Sequence, residues 1–257
     1  MLSESFAHVP TFFALALQNS SGHQWIADLS QWQLPQLILR WAHFVAGITW
    51  IGLLYFFNLV NVPLMKKLDA PTKGKVIPEL MPRALWFFRW GAVVTVLVGL
   101  TYFAMYILAE DARAADSTSW AWLGLWLLIV LVTYAVMYAL INSVTKDGRV
   151  LAVLIAIIVI AMSVAIFYLF KGNKTISIGI GGGMGVMMLL NVWGIIWRAQ
   201  KKIIAWTKDN AENGTPIPPE SAKLARQAFL ASRTNAWLSL PMLFFMATSS
   251  HHIIFIK

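Results

Sequence analysis

The sequence contains no cysteine in its 257 residues. This absence excludes disulfides, thiolate-bound metals, iron–sulfur clusters and covalently attached c-type haem, because each of them needs cysteine sulfur. Any haem or metal ion in this protein would therefore have to be held by histidine, methionine or carboxylate side chains.

Charge is also scarce: only 12% of the residues are charged, whereas 59% are hydrophobic and 13 are tryptophan. This composition is typical of a polytopic membrane protein rather than of a soluble domain of the same length. The net charge of +9 would suggest nucleic acid as a partner for a soluble protein. In a membrane protein it first indicates which loops face the cytoplasm, so we expect the lipid bilayer, and no nucleic acid, as a partner.

Six apolar runs are long enough to cross a bilayer, so the predicted fold class is all-α, a polytopic transmembrane helix bundle. The predicted spans lie at about 36–62, 84–109, 119–143, 149–170, 176–204 and 235–256.

Two segments outside these spans are assigned separately. Residues 1–34 hold only a short apolar run broken by Pro10, and they are predicted to be an interfacial or periplasmic segment. Residues 35–257 form one transmembrane domain. Within it, residues 206–232 contain three prolines and then an amphipathic pattern, which predicts a cytoplasmic loop with a helix on the membrane surface.

The positive charges are distributed unevenly between the loops. Of the 20 Lys and Arg residues, 14 fall at the ends and in the loops on the side that follows the first, third and fifth spans. Because cytoplasmic loops retain positive charge, both termini are predicted on the outer, periplasmic side of a bacterial inner membrane.

All five histidines then fall on the outer side, and His43 lies at a depth similar to that of His251 and His252. Gly47 is one turn from His43 and would let a flat macrocycle approach the helix. This pattern predicts a haem b, with His43 as one iron ligand and His251, or His252, as the other. The plainer alternative is that His43 hydrogen-bonds a backbone carbonyl or a neighbouring helix, and that the histidine pair is interfacial.

A second polar set gathers near the predicted cytoplasmic side, on four of the spans. Its members are Asn58, Asn61, Arg89, Asn191, Arg233 and Asn235. Amides and guanidinium groups suit a planar anionic or amide-rich substrate, so these residues are the predicted substrate site. Alternatively, Arg89 extends to the lipid headgroups, as arginines near helix ends commonly do.

The glycines of the fifth span resemble a phosphate loop only at first sight. The run Gly179, Gly181, Gly182, Gly183 and Gly185 has no GxGxxG spacing and no preceding strand. Pairs of glycines four residues apart favour close helix packing, with a cofactor or ion path as the alternative. No nucleophile–base arrangement or carboxylate pair lies in the spans.

Several short motifs occur together and in a characteristic order. They are Trp50-Ile-Gly, Tyr55-Phe-Phe-Asn58, Pro82-Arg-Ala-Leu-Trp-Phe-Phe-Arg89, Asn191-Val-Trp-Gly-Ile-Ile-Trp and Ser232-Arg-Thr-Asn235. With them, residues 36–252 resemble the membrane domain of bacterial cytochrome-c-linked urate oxidase.

The resemblance implies a redox protein that takes part in purine oxidation and passes electrons to a c-type cytochrome. Because this sequence contains no Cys-x-x-Cys-His, we expect the cytochrome or another membrane redox subunit to be a separate partner. A second hypothesis is a non-catalytic transmembrane subunit of a larger respiratory or oxidoreductase complex, which the missing acid–base set favours. A third is a transporter with a broken fifth helix, although no inverted repeat is visible.

Overall fold

The computed structural model describes residues 33–143, 147–250 and 252–256. Almost all of the predicted N-terminal segment, together with His251, lies outside the described residues. The described chain forms six continuous helices, which we name α1 (Gln33–Lys67), α2 (Ala70–Arg113), α3 (Ser119–Ser143), α4 (Gly148–Leu169), α5 (Asn173–Asn213) and α6 (Glu220–Thr248).

The all-helical prediction is confirmed for the described part of the chain, and five of the predicted spans correspond to α1 through α5. These five helices are long and apolar enough to cross a membrane. The protein is therefore a multi-pass membrane protein.

The sixth predicted span is wrong in its bounds. Instead of residues 235–256, helix α6 covers Glu220–Thr248, and residues 252–256 form no regular structure. The first half of α6 carries Lys223, Arg226 and Arg233, and the apolar stretch that follows is short. Within the described residues, α6 is thus not among the helices apolar enough to be assigned as spans by composition.

The predicted surface segment at 206–232 is mostly an extension of two long helices. Helix α5 continues to Asn213, where Gly214 adopts a left-handed conformation, with φ of 71°, and donates its N–H to the Asn210 carbonyl. This ending is a common use of glycine after a helix. A short proline-containing connection follows, and α6 runs without interruption from Glu220.

Helix α5 lies at the centre of the bundle. Of its most apolar stretch, 67% is buried, against 33% or less in the other four spanning helices. Three of its glycines allow this packing. A Cβ on Gly179 would lie 2.9 Å from the Phe170 ring, one on Gly181 would lie 3.2 Å from a carbonyl oxygen of α6, and one on Gly183 would lie 3.1 Å from a side chain of α3. The packing interpretation of the glycine run therefore accounts for these positions.

Helix α1 packs antiparallel to both α2 and α6. His43 is paired with Thr95 and Phe57 packs edge-on against Phe88, so the numbering rises along α1 as it falls along α2. Tyr55 is hydrogen-bonded to Ser239 of α6 at 2.9 Å. We call the two ends of the bundle the His43 end and the Asn61 end.

Three helices contain a π-helical segment. They are Phe56–Asn61 in α1, Phe103–Leu108 in α2 and Val192–Ile196 in α5. Such segments insert an extra residue into a turn and often occur at functional sites. Asn58 and Asn61 lie in the first of these segments, and Asn191 immediately precedes the third.

Candidate substrate site

Asn58 is buried and joins α1 to α6. Its side-chain amide Nδ2 donates to the Leu54 carbonyl at 3.0 Å and to the Ser232 hydroxyl at 2.9 Å. Its carbonyl oxygen Oδ1 is buried and has no hydrogen-bond partner among the described protein atoms. One acceptor of this amide is therefore available to a ligand.

Asn61 lies one turn further along α1 and is less well satisfied. Its Nδ2 reaches only the sulfur of Met81, at 3.9 Å, and sulfur is a weak acceptor. Its Oδ1 is buried and, like that of Asn58, has no hydrogen-bond partner in the described part of the chain.

Asn191 and Asn235 form a fully buried amide pair between α5 and α6. Asn191 Nδ2 donates to Asn235 Oδ1 at 2.8 Å, and Asn235 Nδ2 donates to the Met188 carbonyl at 2.9 Å. These bonds fix the orientation of both amides and leave Asn191 Oδ1 as a third buried acceptor that no described residue binds.

Arg89 of α2 lies over two tryptophans of α5. Its guanidinium carbon is 3.9 Å from the centre of the Trp197 ring and 5.5 Å from that of Trp193. Among the described residues, its buried Nε has no hydrogen-bond acceptor, and neither do the indole N–H groups of Trp193 and Trp50. The guanidinium group of Arg89 therefore lies against the tryptophan rings of α5.

These contacts link the four helices α1, α2, α5 and α6. Asn58 reaches α6 at Ser232, one turn before Asn235, and Asn235 binds Asn191 of α5. Trp193, two residues after Asn191, contacts Arg89 of α2, and the neighbouring Phe88 packs on Phe57 of α1. We call the residues Asn58, Asn61, Arg89, Asn191, Trp193 and Asn235 the amide cluster.

Arg233 is the predicted site residue that does not join the amide cluster. It follows Ser232 on α6, but its guanidinium lies over Phe229, 5.3 Å from the ring centre, and it lines a groove between α4 and α6. Arg233 lies at the same level along α6 as the residues that reach the amide cluster. Its side chain points in another direction.

Sequence reasoning missed Trp193 and Trp50. Trp193 lies inside the Asn191-Val-Trp motif, so its place two residues after a site asparagine was a usable signal. Trp50 lies two turns before Asn58 on α1 and is 1% exposed. With 13 tryptophans in the sequence, neither was distinguishable by residue type alone.

The cluster presents both kinds of hydrogen-bonding group to a ligand. Three amide oxygens are acceptors, whereas the Arg89 Nε–H and the Trp193 indole N–H are donors. A buried polar group without a partner costs about 1–3 kcal/mol, so several in one place need a reason. The cluster contains no carboxylate and no imidazole, and its side chains offer hydrogen-bond donors and acceptors.

His43 lies at the opposite end of α1 and is held by α2. Its Nδ1–H donates to the Thr95 carbonyl at 2.9 Å, and its ring fills the space left by Gly99, where a Cβ would lie 2.9 Å from the imidazole. The backbone-carbonyl alternative is therefore what the structure shows. Nε2 remains as the ring nitrogen with a lone pair, which is the tautomer of a histidine ligand whose Nδ1 binds a carbonyl.

Gly47 and His252 contact other parts of the bundle. A Cβ on Gly47 would lie 3.7 Å from the methyl group of Thr95, so this glycine faces α2. His252 has an exposed side chain, and its carbonyl accepts a bond from Asn173 Nδ2 at 3.1 Å. His251 is outside the described residues, so its pairing with His43 stays a prediction. Within the described chain, no three His, Cys, Asp or Glu residues are grouped to hold a metal ion.

Comparison with known protein families gave a match. A family model described as "Urate oxidase N-terminal" matches residues 68–257. The match includes Arg89, Asn191, Arg233 and Asn235, and it begins just after α1. No curated protein and no solved structure matches the chain.

Proposed function

Because this chain belongs to the urate oxidase N-terminal family, we propose that it is an integral membrane oxidoreductase whose amide cluster binds a planar purine such as urate. The observation that carries the proposal is the set of buried donors and acceptors without protein partners on α1, α2 and α5. The family match alone indicates only the class of protein. In the proposal, the amide cluster is where the substrate binds.

The chemistry of a purine matches what the cluster offers. An oxidised purine carries ring N–H donors and carbonyl acceptors around the edge of one plane. The oxygens of Asn58, Asn61 and Asn191 accept from N–H groups, and the Nε of Arg89 and the indole of Trp193 donate to carbonyl oxygens. A site that hydrogen-bonds its ligand at several points rejects analogues that lack those groups, because its own polar atoms are then left unpaired.

We place the electron-transfer part of the function at the His43 end. In this proposal a haem b is held by His43 through Nε2, with His251 or His252 as the second ligand. The Nδ1–H bond to the Thr95 carbonyl supports this, since it fixes the tautomer that a metal ligand needs. The haem would supply a one-electron carrier, and the acceptor is a c-type cytochrome on the periplasmic side of the bacterial inner membrane.

The substrate proposal is tested by urate binding and by urate-dependent reduction of a c-type cytochrome. Equilibrium dialysis with the detergent-purified protein measures binding independently of any redox partner. Arg89→Lys keeps the charge but loses the planar fork and Nε, so it should weaken binding by about tenfold or more.

Arg83→Lys is the matched control, because Arg83 is exposed and pairs with Glu79 on the same helix. Equal binding by both variants would contradict a role for the amide cluster. If the folded wild-type protein neither binds urate nor reduces a cytochrome, the non-catalytic subunit of a larger respiratory complex is the better description.

The haem proposal is tested by absorption spectra of the purified protein, oxidised and reduced. We expect a haem b spectrum that is lost in His43→Ala and kept in Thr95→Ala, because the bond to position 95 uses its backbone carbonyl. A colourless wild-type protein, purified from cells supplied with haem, would remove the haem from the proposal without affecting the substrate site.

A further inference from the structure

On each of the four helices that carry the amide cluster, the first Lys, Arg, Asp or Glu beyond the cluster toward the Asn61 end is a cation. We call these residues the flanking cations: Lys66 on α1, Arg83 on α2, Arg198 on α5 and Arg233 on α6. At about 1.5 Å of rise per residue, each lies about 3 to 9 Å along its helix from the nearest cluster residue. No acidic residue lies in any of these four intervals.

Two of the flanking cations carry a positive charge that no carboxylate balances. Lys66 and Arg198 are exposed, and neither forms an ion pair with a described residue. Arg83 differs, because Glu79 lies 3.2 Å from it. Arg89, within the cluster itself, has no carboxylate partner among the described residues either. Positive charge is therefore present both in the cluster and on the surface just outside it.

The His43 end of the bundle does not have this arrangement. In that direction the first charged residues beyond the cluster are Arg40 on α1, Glu110 on α2 and Lys174 on α5, so both signs occur. They lie about 25 Å or more along the helices from the cluster. Charges in solution are screened over about 8 Å at physiological ionic strength. A ligand near the cluster is therefore influenced by the charges of the Asn61 end.

We propose that the flanking cations attract an anionic substrate to the amide cluster from the aqueous phase at the Asn61 end. This inference rests on the proposed function, and it adds the charge of the substrate and the side from which it arrives. Charges of one sign around a site raise the local concentration of oppositely charged ligands, and they accelerate association by about tenfold or more. Urate is a monoanion at neutral pH and has the required charge.

The attraction acts over a distance and needs no contact between the flanking cations and the bound substrate. Such charges change the association rate constant and make it depend on salt. Residues that hydrogen-bond a bound ligand mainly change the dissociation rate constant. The flanking cations and the amide cluster should therefore differ in the rate constant that their substitution changes.

Stopped-flow measurement of urate association with the full chain tests the proposal, in an uncharged detergent and with tryptophan fluorescence as the signal. Between about 0.01 and 1 M salt, the screening length falls from about 30 to about 3 Å. The association rate constant of the wild-type protein should fall about tenfold over this range, while the dissociation rate constant changes little. An association rate constant that does not depend on salt would overturn the proposal.

The double variant Lys66→Gln, Arg198→Gln removes the two exposed charges that have no carboxylate partner. At low salt its association rate constant should be about threefold or more below that of the wild type, and at high salt the two should be equal. The matched control Lys171→Gln, Lys174→Gln removes two exposed charges at the other end and should have no effect. If the two double variants behave alike, the flanking cations serve only membrane topology and the proposal is wrong. A deficit that persists at high salt would also overturn it, because it would indicate direct contact.

The same measurement separates this inference from the proposed function. A folded wild-type protein that binds urate at no salt concentration would contradict the substrate proposal, and this inference would fall with it. Urate binding with a salt-independent association rate constant would leave the substrate proposal in place and overturn only the attraction by the flanking cations.

Discussion

At the His43 end of the bundle the buried polar groups mostly have protein partners, whereas at the Asn61 end several have none. Near the first end, His43 binds the Thr95 carbonyl, the Trp126 indole donates to the Gly179 carbonyl at 2.9 Å, and Asp111 accepts from the Gly172 amide at 3.1 Å. Ser177 is the exception there. At the other end, the amide cluster leaves three amide oxygens and two N–H groups unpaired.

The difference separates two uses of polar residues inside a membrane protein. A polar side chain that finds a partner on the next helix holds the helices together at little net cost. One that is buried without a partner destabilises the folded chain unless something else binds it. The paired groups near the His43 end therefore hold neighbouring helices together, whereas the unpaired groups at the Asn61 end lower the stability of the folded chain unless a ligand binds them.

The largest effect is expected at the amide pair that links α5 and α6. Asn235→Leu removes the acceptor of Asn191 Nδ2 and the donor to the Met188 carbonyl, and it leaves a fully buried amide unpaired. The free energy of unfolding should fall by about 1–3 kcal/mol. Denaturant unfolding of the detergent-solubilised protein measures it.

The control for this prediction is Trp237→Leu, two residues away on the exposed side of α6. Its stability should change little. An Asn235→Leu protein as stable as the wild type would mean that the amide pair does not hold α5 against α6.

The paired His43 end gives a second prediction, of smaller size. Trp126→Phe keeps an aromatic ring but removes the indole N–H that binds the Gly179 carbonyl. We expect a loss of about 0.5–1.5 kcal/mol in the free energy of unfolding, with urate binding unchanged. A weakened urate affinity in a stably folded variant would contradict the separation between the two ends.

At the Asn61 end, removing an unpaired polar group should raise the free energy of unfolding instead of lowering it. Asn61→Leu replaces a buried amide whose oxygen has no partner and whose nitrogen meets only sulfur. The free energy of unfolding without ligand should rise by up to about 1 kcal/mol, while urate affinity falls. Thermal unfolding with and without urate measures both.

Asn58→Leu is the matched variant, because it also removes an unpaired oxygen but breaks two hydrogen bonds as well. It should lose urate affinity without gaining stability. If Asn61→Leu destabilises the protein, the buried amide of Asn61 makes interactions other than those described above.

Much of the fold could be predicted because long apolar runs decide the positions of membrane helices. Helices α3 and α4 agree with prediction to within a residue at each end. Helix α6 was placed too late because its first half is polar and its last apolar residues are not helical. Asn173 instead binds this tail, accepting from the backbone N–H groups of Ile254 and Phe255.

The amide cluster was predicted only from the depth of its residues along the helices. Depth does not tell which way a side chain faces. Helices of known direction bring residues to one level, which is why the sequence could group Asn58, Asn61, Arg89, Asn191 and Asn235, and their role as a substrate site stays a prediction. Rotation about the helix axis is set by packing that the sequence does not display, so Arg233 was assigned to the cluster although it faces the α4 groove. The π-helical segments add to this difficulty, because the extra residue in each of them rotates the residues that follow about the helix axis.

The smallest effect concerns Asp69, which lies at the Asn61 end but outside the spanning helices. Its carboxylate accepts from the Thr72 backbone N–H at 3.2 Å and caps α2, and hydrogen bonding to Thr72 lowers the pKa of Asp69 below its usual value. A carboxyl group whose pKa is lower in the folded state stabilises the fold at neutral pH, and this contribution disappears as the pH falls through the folded-state pKa.

We therefore expect amide hydrogen exchange in residues 70–75, corrected for the intrinsic rate, to accelerate below about pH 4. In Asp69→Ala, hydrogen exchange in these residues should be fast at both pH 7 and pH 3, and urate binding should not change at neutral pH. If the start of α2 in the wild-type protein is equally protected at pH 7 and pH 3, the cap does not depend on the charge of Asp69.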